Sequence, residues 1–358
     1  MELKIAGGCG EHGRNCFLVD AEDTAFLVDC GIMAGSDDRF PRLSAEEISR
    51  VKYVFLTHSH ADHTGALPWL YKSGFCGLTI ASRCTLEQLP FSPKNTVSLE
   101  QICLKNTGKL GNIEIEYGRA GHCVGSVWYH FRAGERSALF SGDYTENSAV
   151  YYCDKIRGKS ADFAVLDCAY GSDERNFSQC CDEIISAVRE LKKRYGTLFF
   201  PVPKYGRGIE LLKLLRESFS EYVFCGDKHF LEQLGEMPNN RYWYLRTDFS
   251  AFEYKPNRYD ILFLSDPQLR LEGSREIVRR LTAQGGCGVM TGTVESGSFS
   301  ETLIQNGIMK LLRYPVHQNY KEFVCLAKLN NFQRVIPYHT REFDGEADGN
   351  NFCPQNRT

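Results

Sequence analysis

The chain changes its hydrophobic rhythm part-way along, and that change restricts the folds open to it. Up to about residue 172, short apolar runs alternate with glycine-rich turns: NCFLVD, TAFLVDCG, YVFLTH, GLTIAS, IEIEYG, VWYHF, ALFSGD and FAVLD. Such runs, with few long helical stretches between them, predict stacked sheets rather than a doubly wound sheet. From Phe177 the period lengthens. CCDEIISAVRELKKRYG places apolar residues at helical spacing, with a basic last turn and a glycine stop, and is followed by the strand TLFFPVP and the helix IELLKLLRESF. YVFCG, DILFLSD, SREIVRRLTAQ and GVMTG continue this βα rhythm. The pattern predicts a β-rich unit over 1–172, an inserted α/β unit over 173–300, and a return segment over 301–358 that completes the first unit. That segment holds the helix YKEFVCLAKLN, the strand RVIPYH and a polar tail from Gly345. A length of 358 residues agrees with two packed units, and no internal repeat is present.

Composition narrows the class. Hydrophobic residues at 42% and charged residues at 24% exclude a disordered, collagen-like or low-complexity chain. Fifteen cysteines are an odd number in a large chain, and the start MELKIAGGCGEHG lacks a basic region followed by an apolar run. They read as reduced thiols in the cytoplasm. The absence of any CxxC pair removes a thiolate zinc knuckle or a thioredoxin-like site, and the vicinal Cys180 and Cys181 are expected as one core and one surface residue of a single helix. No apolar run reaches the roughly eighteen residues of a membrane span, so a soluble, unexported protein is expected. The net charge is −3, and 173–300 carries 18 basic and 18 acidic residues. A nonspecific nucleic-acid coat is therefore excluded, and phosphate binding must come from a local site.

Of nine histidines, three fall within six residues: His58, His60 and His63, with Asp62 among them. They follow the β-rich run VKYVFL and precede a helix predicted over 63–73. A strand end opening into a helix lets alternate side chains converge, and imidazole with carboxylate is the ligand set of hydrolytic zinc, manganese or iron sites. HxH alone reads as a polar turn. The full HxHxDH followed by Gly65 points to a metal.

The run Thr57-His58-Ser59-His60-Ala61-Asp62-His63-Thr64-Gly65-Ala66-Leu67-Pro68 resembles the metal-binding motif of the metallo-β-lactamase superfamily, and its HxGALP continuation is closest to the β-CASP branch of RNA-processing nucleases. Asp29 in LVDCG matches the buried aspartate that supports the ligand loop, His122 in AGHCVGS the third histidine, and Asp143 in FSGDYT the bridging carboxylate. Asp167 in VLDCAYG resembles the acidic first β-CASP motif, with aspartate where many RNA-acting members carry glutamate. PVPKYGRGIELLKLL and VMTGTVESGS resemble the opening and the end of the inserted domain. His317 in YPVHQNY and His339 in RVIPYHT match the second and third motifs; Pro315-Val316 replaces the usual small-residue lead before His317. The remaining His12, His130 and His229 read as surface or satisfied core residues.

The resemblance implies a four-layer αββα metallo-β-lactamase sandwich with an inserted α/β β-CASP domain. It implies two divalent metal ions, zinc first, with manganese and iron as alternatives, held by His58, His60 and His122 on one side and Asp62, His63 and His339 on the other, bridged by Asp143. Two metals about 3.5–4 Å apart supply a hydroxide and neutralise phosphoryl charge. His317 is the implied general acid for the leaving 3′ oxygen, with Asp167 orienting its ring; alone, Asp167 would read as a strand-end turn residue. Lys204 and Arg207 are candidate phosphate contacts in a groove between the units, a solvated loop charge being the other reading of Lys204. Ser126 and Tyr144 are candidate substrate contacts, with turn and packing roles as the alternative. Tyr144, Tyr170, Tyr205 and Tyr338 are candidate stacking platforms.

The implied function is a cytoplasmic metal-dependent ribonuclease, endo- or exonucleolytic, acting on single-stranded RNA and leaving 5′-phosphate ends. The expected partners are that RNA and a second copy or an RNA-processing protein, with no membrane. A histidine at the third β-CASP motif is typical of RNA-acting members. A small-molecule metallohydrolase is opposed by the large insert and His317. A non-catalytic scaffold subunit is opposed by the filled ligand positions.

Overall fold

The computed structural model describes residues 1–245 and 259–343, so the polar tail expected from Gly345 lies outside the described residues. The chain divides into two compact units, the first formed by Met1–Glu146, Cys153–Glu174 and His317–Thr358 and the second by Asn147–Tyr152 and Arg175–Val316.

In the first unit the short apolar runs form two sheets. One has the strand order Glu2–Gly7, Cys16–Ala21, Thr24–Val28, Val51–Phe55, Leu78–Ala81, Thr96–Ser98. The other runs Val335–Tyr338, Phe163–Asp167, Arg136–Phe140, Val127–Ala133, Ile113–Arg119, Thr107–Leu110, Cys103–Leu104. Alternation along each strand sends successive side chains to opposite faces. Tyr129 and Phe131 therefore share the face that meets the first sheet, where the Phe131 ring lies 4.8 Å from both Phe26 and Phe55. Trp128, on the other face, packs with Leu139, Leu166, Phe323 and Leu326, the last two from the helix Tyr320–Lys328. The first sheet's outer face buries Leu18, Leu27 and Val54 against Ile48, Leu67 and Leu70 of short helices. Helix, sheet, sheet and helix stack in that order, which is the four-layer architecture expected.

Both sheets carry parallel strands at the places where candidate site residues fall. Thr24–Val28 pairs in parallel with Val51–Phe55, and Phe163–Asp167 pairs in parallel with both Arg136–Phe140 and Val335–Tyr338. Parallel neighbours end at the same sheet edge. Asp29 and His58 thus leave one edge, and Asp143, Asp167 and His339 leave another.

The helix expected over 63–73 is instead two helices, Ala61–Thr64 and Leu67–Lys72. Pro68 sits in the first turn of the second; without an N–H it can open a helix but cannot extend one through itself.

The second unit is a five-stranded parallel sheet in the order Phe224–Gly226, Ile261–Leu264, Leu198–Pro201, Cys287–Met290, Met309–Leu311. The strand Met309–Leu311 pairs with Cys287–Met290, so residues 301–316, expected with the return segment, lie in this unit. Asn147–Tyr152 also joins it: Tyr151 donates its hydroxyl to the Gly206 carbonyl at 2.9 Å, and the Ser148 hydroxyl donates to Glu210 Oε1 at 2.5 Å. On the helix Phe177–Lys192 both Cys180 and Cys181 are buried, with 1% and 6% exposure, correcting the expected core and surface split. An apolar stripe wider than about 100° takes in two adjacent positions. Among the described residues no helix is long and apolar enough to cross a membrane.

Candidate metal centre

The ligand loop is built on Asp29, which ends its strand in a left-handed conformation with φ 61°. Its amide donates to the Phe55 carbonyl at 2.8 Å, tying it to the neighbouring strand. Its Oδ1 accepts the Thr57 amide at 2.7 Å, and its Oδ2 accepts the Thr57 hydroxyl at 2.8 Å and His63 Nδ1 at 2.7 Å. One buried carboxylate thereby orients both ends of the HxHxDH run. Gly31 lets the chain come this close: a Cβ there would lie 1.6 Å from the Asp62 carbonyl oxygen.

With Nδ1 of His63 so engaged, its Nε2 faces Asp143 Oδ1 at 3.1 Å and Asp62 Oδ2 at 3.7 Å. His60 Nδ1 lies 3.1 Å from His58 Nε2 and 3.2 Å from His122 Nε2, and both of these imidazoles are 3.5 Å from Asp143 Oδ2. His339 faces Asp62 Oδ2 at 3.1 Å through Nε2 and Asp143 Oδ1 at 3.3 Å through Nδ1. The ligand atoms fall into two groups sharing Asp143: His58, His60, His122 and Asp143, and Asp62, His63, Asp143 and His339. A third group of Asp143, Asp167, His317 and His339 adjoins them.

These residues fit divalent metal ions. Neither ring nitrogen of buried His339 has a hydrogen bond of acceptable geometry, although carboxylate oxygens are within 3.3 Å. Donors that approach without pointing at one another are arranged for a third atom between them. The charges agree. Burial would push the carboxyls of Asp62 and Asp143 up, but the ring charges of His63 and His339 outweigh it and hold both well below the usual range. Burial would push His63 and His339 down, yet Asp143 and its neighbouring carboxylates raise His63 well above its ordinary value and His339 to about 10. His58, buried and beside His63, is driven down and stays neutral. The chain alone must protonate imidazoles to balance this carboxylate cluster, the work a cation does when bound.

Beside the two groups, His317 Nδ1 lies 2.7 Å from Asp167 Oδ2. The shorter aspartate reaches because its strand end lies against that of Tyr338 and because the Tyr144 amide, donating to the same Oδ2 at 2.9 Å, sets the carboxylate. The His317 ring sits 4.8 Å from that of His122 and meets Tyr170 edge-on at 5.3 Å.

Several candidates have other work. Ser126 is buried and closes its own turn, accepting the Cys123 amide and donating to the Cys123 carbonyl. Tyr144 and Tyr338 are buried, 1% and 2% exposed, so neither can stack a base; Tyr338 donates its hydroxyl to Asp143 Oδ1 at 2.9 Å. In the second unit Lys204 is exposed and its ammonium lies 5.3 Å from the Tyr205 ring centre. The Arg207 guanidinium lies directly against Gly292, where any Cβ would collide with it. His130 is a satisfied core residue, between Glu116 and the Ser160 carbonyl, and His229 an exposed one beside Glu232. Two residues that patterning did not single out reach the centre. Asn15 places Nδ2 2.8 Å from His63 Nε2, and His12 stacks on His339 with ring centres 4.2 Å apart. Burial lowers the pKa of His12 to about 4, so its ring is neutral.

Residues 9–83 match the family model described as the metallo-beta-lactamase superfamily. The chain is 27% identical over 263 residues to the transcription termination factor FttA of Methanocaldococcus jannaschii, covering 63% of this chain and 40% of that protein. It is 24% identical over 250 residues to the cleavage and polyadenylation specificity factor 73 of Drosophila melanogaster, covering 62% and 36%. It is 25% identical over 273 residues to the Integrator complex subunit 11 of Danio rerio, covering 66% and 45%. The matches span less than half the length of these curated relatives. Among solved structures, a protein of unknown function from Enterococcus faecalis V583 shares the fold, with a TM-score of 0.59 at 14% identity over 95% of this chain and 94% of that one.

Proposed function

From a chain that belongs to the metallo-β-lactamase superfamily, in its β-CASP branch, we propose a metal-dependent phosphodiesterase that cleaves single-stranded RNA and leaves 5′-phosphate ends. The carrying observation is the pair of histidine and carboxylate groups sharing Asp143, with the Asp167-braced His317 beside them. His58, His60, His122 and Asp143 would hold one divalent ion, and Asp62, His63, His339 and Asp143 the other. When bound, such a pair supplies Lewis acidity at the phosphoryl oxygens and a hydroxide nucleophile at neutral pH.

The chain's own residues do the rest. Asp29 fixes the tautomer of His63 by accepting from Nδ1, so that Nε2 is the nitrogen presented to the centre. Tyr338 donates to Asp143 Oδ1 and limits which lone pairs that carboxylate can offer. Asp167 engages Nδ1 of His317, leaving Nε2 to hold the proton that the leaving 3′ oxygen takes. Lys204 and Arg207 are proposed as phosphate contacts; the exposure of Lys204 supports its share. Tyr170, half-buried and edge-on to His317, and Tyr205 remain the proposed stacking surfaces for bases. Assembly with an RNA-processing partner is proposed by likeness to a relative whose name makes it a subunit of the Integrator complex.

The test is digestion of one sequence supplied as end-labelled single-stranded RNA, DNA and RNA duplex by metal-loaded protein, with His60→Ala as the control. Cleavage of the single-stranded RNA with 5′-phosphate products, abolished by His60→Ala, is expected. Equal rates on DNA, or products carrying 3′-phosphate, would refute the substrate and the cleavage chemistry respectively.

A further inference from the structure

His339 adopts a conformation that a side-chain-bearing residue avoids. Its φ is 70°, in the left-handed region, where the Cβ crowds the carbonyl oxygen. It is also the residue whose ring nitrogens both face carboxylates without a hydrogen bond of proper geometry. A strained backbone and an unsatisfied ring persist only where the surroundings impose them.

The surroundings are residues 8–14. The His339 amide donates to the Gly8 carbonyl at 2.7 Å, and Cys9 forms a parallel bridge with Thr340. The His339 carbonyl, which can only accept, lies 2.9 Å from His12 Nδ1. His12 therefore carries its proton on Nδ1. The two rings are stacked at 4.2 Å with planes 13° apart. One side chain thus fixes both the carbonyl direction and the ring plane of His339. The loop that delivers it is itself held: Glu11 Oε1 accepts the Gly8 amide at 3.0 Å and Arg14 Nε at 2.7 Å, and Arg14, 2% exposed, reaches the Asp38 carbonyl at 2.6 Å.

We infer that His12 is a positioning residue for His339, holding it in its left-handed conformation with its ring turned to Asp62 and Asp143, and that it thereby sets the affinity of that half of the centre. This rests on the reading of Asp62, His63, Asp143 and His339 as a metal-binding group. His12 is not a ligand. It acts through the backbone and ring plane of its partner, as residues behind a ligand do elsewhere, where their loss typically costs about 10–100-fold in metal affinity.

The test titrates metal-stripped protein with Zn2+ alone and reads two dissociation constants by calorimetry, with Co2+ absorption as a second readout of ligand geometry. Wild type, His12→Ala, His12→Asn and His339→Ala are compared after circular dichroism shows each folded. For His12→Ala the first ion should bind as in wild type, the second about 10–100-fold more weakly, and the Co2+ spectrum of the second site should change. His12→Asn, whose side-chain amide can still donate to the His339 carbonyl, should recover part of the loss even if the alanine variant proves too unstable to measure. If both His12 variants bind the second ion as wild type does while His339→Ala loses it, the role of His12 is overturned and the ligand set stands. If His339→Ala also binds it normally, the ligand set falls, and the inference with it.

Discussion

Replacing Glu210 with glutamine should flatten the pH dependence of stability, and the size of the effect follows from its surroundings. Glu210 is 1% exposed, on the helix Arg207–Ser218. Its Oε1 accepts the Ser148 hydroxyl at 2.5 Å and the Ala149 amide at 3.1 Å, while Oε2 has no partner. Burial raises its pKa from 4.5 to about 8, more than these hydrogen bonds and Arg207 lower it. A folded-state pKa above the unfolded one means that the native protein holds this proton more tightly. The stabilisation is full below about pH 4.5 and is lost as pH rises through about 8. At about 1.4 kcal/mol per pH unit, the whole span is at most about 5 kcal/mol, a large share of ordinary domain stability.

Glutamine keeps an oxygen for Ser148 and Ala149 and removes the titration. It leaves a buried amide N–H in place of Oε2, costing about 1–3 kcal/mol at every pH. Urea unfolding of both proteins from pH 5 to 9 measures the difference directly, because the histidine-rich centre titrates in both and cancels. Glu210→Gln should be the less stable protein at pH 5 and should gain on wild type steadily toward pH 8. Parallel curves would refute the idea that this carboxyl is held neutral by the fold.

After reconstitution and desalting, elemental analysis should give about two divalent ions per chain, and a value below one would contradict the shared-Asp143 arrangement. His317→Ala should keep both ions yet lose about 10²–10⁴-fold in activity, the usual share of a general acid; activity within a few-fold of wild type removes His317 from the chemistry. Asp29→Asn replaces an acceptor of the His63 Nδ1 proton and should weaken metal binding about 10–100-fold, so unchanged affinity by competition with a chelator would show that this carboxylate does not orient the ligand loop.

What the sequence made legible follows from how far apart interacting residues lie along it. His58, His60, Asp62 and His63 share one strand-to-helix turn, so their spacing alone brings them together. His12 and His339 are 327 residues apart, and the backbone bonds that join residues 8–9 to residues 339–340 make them neighbours; nothing in GCGEHG marks a histidine that will stack on a candidate ligand. Asn147–Tyr152 read as part of the β-rich unit because a short apolar run says nothing about which sheet or helix it will lie against, and its attachment runs through the Gly206 carbonyl and Glu210, a polar residue within the helix IELLKLLRESF. The tyrosines next to motifs misled for a related reason. Tyr144 and Tyr338 stand beside Asp143 and His339 in sequence, but adjacency to a motif does not expose a ring: both are buried, and Tyr338 bonds the same Asp143 oxygen that His339 faces.

The centre is also less separable from the core than its polar residues suggest. Its donors come from two sheets, each of which sets only the spacing of its own strand ends. Asp29 and the HxHxDH run depend on the first sheet; His122, Asp143, Asp167 and His339 depend on the second. The distance between these halves is fixed by whatever joins the sheets near that edge. Two bonds do so beside His58: the Val127 amide donates to the Thr57 carbonyl at 2.9 Å, and the buried Tyr129 hydroxyl donates to the Leu56 carbonyl at 2.8 Å. Behind them, Phe26, Phe55 and Phe131 fill the space between the sheets. A closely packed interior resists small displacements, and donor atoms 3.1–3.5 Å apart tolerate few of them. The aromatic layer between the sheets therefore helps to set the distance between the two halves of the centre, together with the candidate ligands themselves, and Thr57, which bonds Asp29 through its side chain and the opposite sheet through its carbonyl, is where the two constraints meet.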